Sequence, residues 1–317
     1  MAEAPGGESP VTIIGAIVAN LVIAVAKFAA AIFTGSSSML AEAMHSVVDT
    51  GNEGLLLLGV RRSRKPADEM HPFGYGQELY FWSLVVAMAL FAIGGGLSFY
   101  EGVAHLRHPE PIEAPVWNYA VLAVAFLAEG ASWFIALKAL RKARKNGESH
   151  FRAFRRSKDP SVYIVLAEDS AALVGIVAAA AGVWLSVTFD KPYFDGLASM
   201  VIGVVLIAVA ALLVYETRSL IMGEAADPEV VASVRRIAME EEAVAGVAHL
   251  LTMHFAPDQV LLNLELRFRP GVPAEKIFST VERVEARIRR VHPQIGRIFV
   301  EAEAFRRGDP QSLPQAG

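Results

Sequence analysis

The chain has 317 residues, of which 54% are hydrophobic and 20% charged, with a formal net charge of −4, and its mean hydropathy is +0.40. An average soluble domain carries about 25% charged residues, so this composition excludes an ordinary soluble enzyme, and the balance of charge excludes a nucleic-acid-binding protein. Cys is absent, which removes disulfides, thiolate metal sites and cysteine nucleophiles.

A helix needs about 20 apolar residues to cross a hydrocarbon core, and six stretches meet that length: 11–33, 39–60, 79–100, 116–137, 162–187 and 193–215. The polar start, 1–10, has no basic residue and does not read as a cleaved signal peptide. Arg61, Arg62, Arg64 and Lys65 follow the second span, and Arg141, Lys142, Arg144, Lys145, Arg152, Arg155, Arg156 and Lys158 follow the fourth. The alternate loops hold little beyond Arg107 and Lys191. By the positive-inside rule both termini are cytoplasmic. The expected organisation is a polar segment 1–10, a six-helix transmembrane domain 11–222, a cytoplasmic α+β domain 223–306 and a flexible tail 307–317.

In the cytoplasmic part, Asp227-Pro228 reads as a helix N-cap with Pro at the first position. Two strand-like runs follow at 248–255 and 260–268, the second alternating Val260, Leu262, Leu264, Leu266 and Phe268 with polar or outward positions. Ile277, Val281, Val284, Ile288 and Val291 mark one stripe of a helix, and Ile298, Val300 and Ala302 a last strand. The order αββαβ predicts a small sheet covered on one face by helices.

Ionisable residues inside a span are costly and point to a site. Glu42, His45, Asp49 and Asn52 recur at helical spacing on one face of the second span. His45 and Asp49, at i and i+4, can aim an imidazole nitrogen and a carboxylate oxygen at one divalent ion; the plainer reading is a hydrogen bond that joins helices. Glu168 and Asp169 adjoin in the fifth span, about 100° apart around the helix. One is expected to face the second span, and Glu168 can equally be a packing carboxyl paired with Lys27 or Asn20. Asp195, Glu129 and Glu216 read as interfacial or folding groups, Lys27 as a snorkelling or neutralising cation, and Gly94-Gly95-Gly96 as a point of close helix packing. In the loop after the second span Asp68 and His71 form a weaker candidate metal pair. His249 and His254, five residues apart in one strand, point to opposite faces.

Taken together, Thr34-Gly35-Ser36, His45-Ser46-Val47-Val48-Asp49, the stretch from Ala67-Asp68 to His71-Pro72-Phe73-Gly74, Asp169 and Asp195 resemble the cation diffusion facilitator family of divalent-metal transporters. The resemblance covers about residues 11–304 and is nearest the subgroup of the mitochondrial and nuclear animal zinc transporter. It implies a homodimer in the lipid bilayer, a ferredoxin-like cytoplasmic domain and a transport site built from the second and fifth spans. His45, Asp49 and Asp169 stand at family ligand positions, while Val165 stands at the fourth and cannot ligate. Glu168 is the auxiliary candidate, with water as the alternative. Asp68 and His71 match a family loop site in which Tyr75 replaces a His. His249 resembles a cytoplasmic ligand, with Asn263 and Glu301 where stronger sites have His.

The implied function is export of a divalent cation from the cytoplasm across the cell (inner) membrane, coupled to protons as counter-ion. Zinc is favoured, manganese, iron or cobalt are alternatives, and no organic cofactor or nucleic acid is expected. Two rival classes remain: an intramembrane metal-dependent enzyme, and a metal-sensing or scaffold homologue without transport.

Overall fold

A computed structural model describes residues 10–143 and 160–304. Residues 1–9, the segment 144–159 with most of the basic loop, and 305–317 with the expected tail lie outside the described residues. The chain divides into two compact units, Met1–Ile221 and Met222–Gly317.

The first unit is helical. Its described elements are α1 (Pro10–Thr34), α2 (Ser37–Ser63), α3 (Glu78–Arg107), α4 (Val116–Ala143), α5 (Pro160–Phe189) and α6 (Tyr193–Met222). By length and apolar composition, α3 to α6 each suffice to cross a membrane. The α2 helix is long enough but carries Glu42, Asp49 and Glu53 along its length. Around a buried apolar core that includes Met39, Tyr80, Leu90, Ile164 and Leu206, the helices also expose large apolar side chains and bury several polar ones. Val22, Val25, Phe91, Val124, Leu127, Val177, Trp184 and Val204 are exposed, while Lys27, Glu42, His45, Asn52 and Asp195 are buried. Such a surface matches a solvent of lipid, with polar groups turned inward away from it.

Backbone proximity holds parts of this bundle. The α3 helix passes through a π-helical segment at Leu90–Leu97, which contains the triple glycine. A Cβ added at Gly95 would lie 3.1 Å from the Gly203 carbonyl oxygen, and one at Gly102 would lie 2.6 Å from that of Gly196. These glycines therefore let α3 and α6 meet backbone to backbone, the packing expected of small residues in membranes.

The turn between α1 and α2 is short. Gly35 adopts φ +66°, a left-handed conformation in which a side chain is strained, and Ser36 then caps α2 by accepting the Met39 amide hydrogen. Asp195, in the first turn of α6, completes that end. It accepts hydrogen bonds from Ser36 Oγ (3.0 Å), Ser37 N (2.5 Å), Ser38 N (3.3 Å) and Ser38 Oγ. Asp195 is wholly buried, yet both oxygens are used. It is a folding group that fastens α6 to the start of α2.

The second unit holds α7 (Pro228–Met239), β1 (Val244–Ala256), β2 (Gln259–Phe268), α8 (Ala274–Val291) and β3 (Ile295–Ala304). The sheet order is β1-β2-β3, with β1 and β2 antiparallel and β2 and β3 parallel. Asp227 caps α7 by accepting from Glu229 N at 3.0 Å, with Pro228 at the first helical position. Val260, Leu262, Leu264, Leu266 and Phe268 are buried as the alternation predicts, and they pack in one core with Val234, Ile237, Val284 and Ile288. Val291, expected in the buried stripe, is exposed because the helix ends there. The strands run longer than the apolar runs predict. β1 already pairs with β2 at Val244, and register shifts between Val244 and Gly246 and between Val247 and Leu250 break the alternation that would mark this part as strand.

Candidate metal site in the helix bundle

The expected ligands of α2 come together. His45 Nδ1 lies 3.3 Å from Asp49 Oδ1, with His45 fully buried and Asp49 largely so. Neither His45 nitrogen nor Asp49 Oδ1 has a hydrogen-bond partner. Buried polar groups are almost always paired, and each exception calls for an explanation. Here the two side chains face one another within α2, with those atoms left unpaired.

The fifth helix brings its two carboxylates to different neighbours. Glu168 is buried and accepts from Asn52 Nδ2 of α2 at 2.6 Å. Asp169 is half-buried and is hydrogen-bonded by Ser132 of α4, leaving its Oδ2 unpaired. Among the described residues, no three His, Asp or Glu side chains are placed to hold one metal ion together. The structure therefore joins His45 with Asp49 and sets Glu168 against their helix, while Asp169 stands towards α4.

Lys27 and Asn20, weighed as partners of Glu168, pair elsewhere. Lys27 Nζ donates to Glu42 Oε2 at 2.9 Å and to Ser46 Oγ at 2.7 Å, and Asn20 donates to Glu53 Oε1 at 2.7 Å. Glu129, read as an interfacial or folding group, sits well inside the helix α4. Its helix face is the one that carries Ser132 and Trp133 to Asp169 and Ser170.

The loop pair is tied up within its own turn. Asp68 Oδ1 accepts from His71 N at 2.7 Å and Oδ2 from the Tyr75 hydroxyl at 2.7 Å. The Tyr75 hydrogen bond, then that of the His71 amide, holds the Asp68 carboxyl below its ordinary range. His71 Nδ1 lies 3.6 Å from Asp68 Oδ1, and its ring rests 4.2 Å from that of Tyr75. In the second unit, His249 is exposed with Nε2 3.8 Å from Glu265 Oε2. His254 is buried, its Nδ1 3.2 Å from the Ala256 carbonyl oxygen. The two histidines share no site.

The sequence pattern of the cation efflux transmembrane domain matches residues 13–222. The chain belongs to the cation diffusion facilitator family. It is 36% identical to the mitochondrial proton-coupled zinc antiporter SLC30A9 of Homo sapiens, over 76% of this chain and 43% of that protein. It is 28% identical to metal tolerance protein C4 of Arabidopsis thaliana, over 84% of this chain and 58% of that one. Magnetosome protein MamB of Paramagnetospirillum magneticum is 25% identical, over 90% of this chain and 91% of its own. The chain spans less than half the length of the human relative.

Proposed function

We propose that this family member is a proton-coupled exporter of a divalent cation, zinc in the first place, and not an enzyme. The observation that carries the reading is the pair His45 and Asp49, buried in a lipid-facing bundle with ligand atoms unpaired. The proposed transport site is His45, Asp49 and Asp169, with Glu168, oriented by Asn52, as auxiliary carboxylate. Ligation needs a neutral imidazole and ionised carboxylates, so protons and metal compete for the same atoms, and that competition gives exchange its physical basis. One imidazole among oxygens suits zinc and admits manganese, iron or cobalt. Asp169 joins the other ligands when α5 and α4 shift relative to α2, a movement of the kind alternating access requires.

The same reading takes all six helices as spans of the cell (inner) membrane, with both termini cytoplasmic and the chain paired as a homodimer. It takes 223–306 as a ferredoxin-like cytoplasmic domain, for which the αββαβ order and one-sided core are the support. His249 there, and Asp68 with His71 in the loop, are weak metal positions. Proteoliposomes containing the purified protein test the function: an imposed proton gradient should drive zinc against its own gradient. Zinc movement that ignores the proton gradient sinks the antiport reading, and no movement at all sinks transport.

A further inference from the structure

One ionisable group at the centre of the bundle has no part in the site so far. Lys27 of α1 is wholly buried, and its Nζ reaches both Glu42 and Ser46 of α2. Ser46 follows His45 in the chain, and Glu42 lies one helical turn before it. A buried ammonium is tolerated only with close partners, and α2 supplies them beside the first expected ligand. Glu42 keeps Oε1 without a partner, lying against the backbone of α5 at Gly175, where no side chain intervenes.

We propose that Lys27 is the resident cation of the transport site: a fixed positive charge that engages Glu42, keeps that carboxylate out of the ligand set and lowers affinity for the divalent ion. The proposal rests on the transport reading above and makes Lys27 a positioning and affinity-setting residue. Its physical sense is release. A pathway conducts only when binding is strong enough to admit the ion and weak enough to let it leave. A divalent ion at His45 and Asp49 is repelled by the neighbouring ammonium in a medium far less screening than water.

Zinc binding by calorimetry on the purified full-length protein, with flux in proteoliposomes, tests the proposal. Lys27→Met should bind zinc about tenfold more tightly, with KM and maximal rate both lowered, while Lys27→Arg keeps wild-type values. Glu42→Gln leaves the ammonium uncompensated and should weaken binding about tenfold, and Lys27→Met with Glu42→Gln should return within about threefold of wild type. A tie that is only structural predicts weaker binding in every variant. Folded Lys27→Met that binds no tighter than wild type overturns the proposal. If that variant does not fold, a double variant no tighter than Glu42→Gln overturns it equally. Asp49→Ala separates the two readings: unchanged zinc affinity there removes the site itself, whatever the Lys27 series shows.

Discussion

Asp195 and Asp49 are both carboxylates within one helix bundle, and their surroundings are opposites. Asp195 is wholly buried, and every hydrogen bond it can usefully accept is made, from backbone and side chain of three successive serines. Asp49 is largely buried beside His45, and the oxygen nearest the imidazole has no partner. A satisfied buried charge contributes to folding, whereas an unsatisfied one costs stability and persists where something else uses it. Two aspartates of one apolar chain are thus separated by their hydrogen bonds and not by their burial.

The sharpest way to break that comparison is to delete each carboxylate. Asp49→Ala should abolish zinc flux, a loss of at least about a hundredfold, while the thermal midpoint in detergent stays within a few degrees. Normal flux at matched protein levels would show that Asp49 is not a ligand. Asp195→Ala should do the reverse first: with its serine donors left buried and unpaired, stability falls by about 3 kcal/mol or more. The check is thermal unfolding followed by fluorescence, and a midpoint equal to wild type would contradict the folding role.

A finer test concerns the adjacent pair in α5. Asp169→Asn should weaken zinc binding about tenfold more than Glu168→Gln, because the auxiliary carboxylate is already engaged by Asn52. The opposite order would put Glu168 in the ligand set in place of Asp169.

The smallest expected effect lies in the loop. Asp68 titrates below its ordinary value when folded, so its hydrogen bonds favour the ordered turn above the usual carboxylate pKa of about 3.9. That contribution is lost as pH falls through the lower, folded value. Tyr75→Phe removes the larger cause, so amide exchange across 66–77 should accelerate at a higher pH than in wild type. Identical pH profiles would mean that the Tyr75 hydrogen bond does not order the turn.

Much of the fold was legible because its signals are local. Apolar length marks the helices, Asp227-Pro228 marks a helix start, and strict alternation at 260–268 marks a half-buried strand. The His45 and Asp49 pair was legible too, since i and i+4 residues share a helix face whatever surrounds them. Partners across helices were not. Nothing in the sequence says that Lys27 finds Glu42 or that Asn20 finds Glu53, because helix rotation decides which faces meet. The split between Glu168 and Asp169 follows from the same angle: 100° of rotation sends one towards α2 and the other towards α4. The early start of β1 was hidden by bulges, which spoil the alternation that sequence reading relies on.

The attachment of Asp195 to Ser36, Ser37 and Ser38 also has a mechanical meaning. It pins one end of α2, so any tilt of that helix turns about the pin. At about 1.5 Å of rise per residue, His45 lies about 10 Å from Ser38 along the axis and Arg61 about 35 Å. A tilt of about 10° then moves His45 by about 2 Å and the arginine end by about 6 Å. That makes α2 a lever with the metal ligands near its fulcrum. Small adjustments at the site become large excursions at Arg61 and Arg62, where a label on Ser63 reads them.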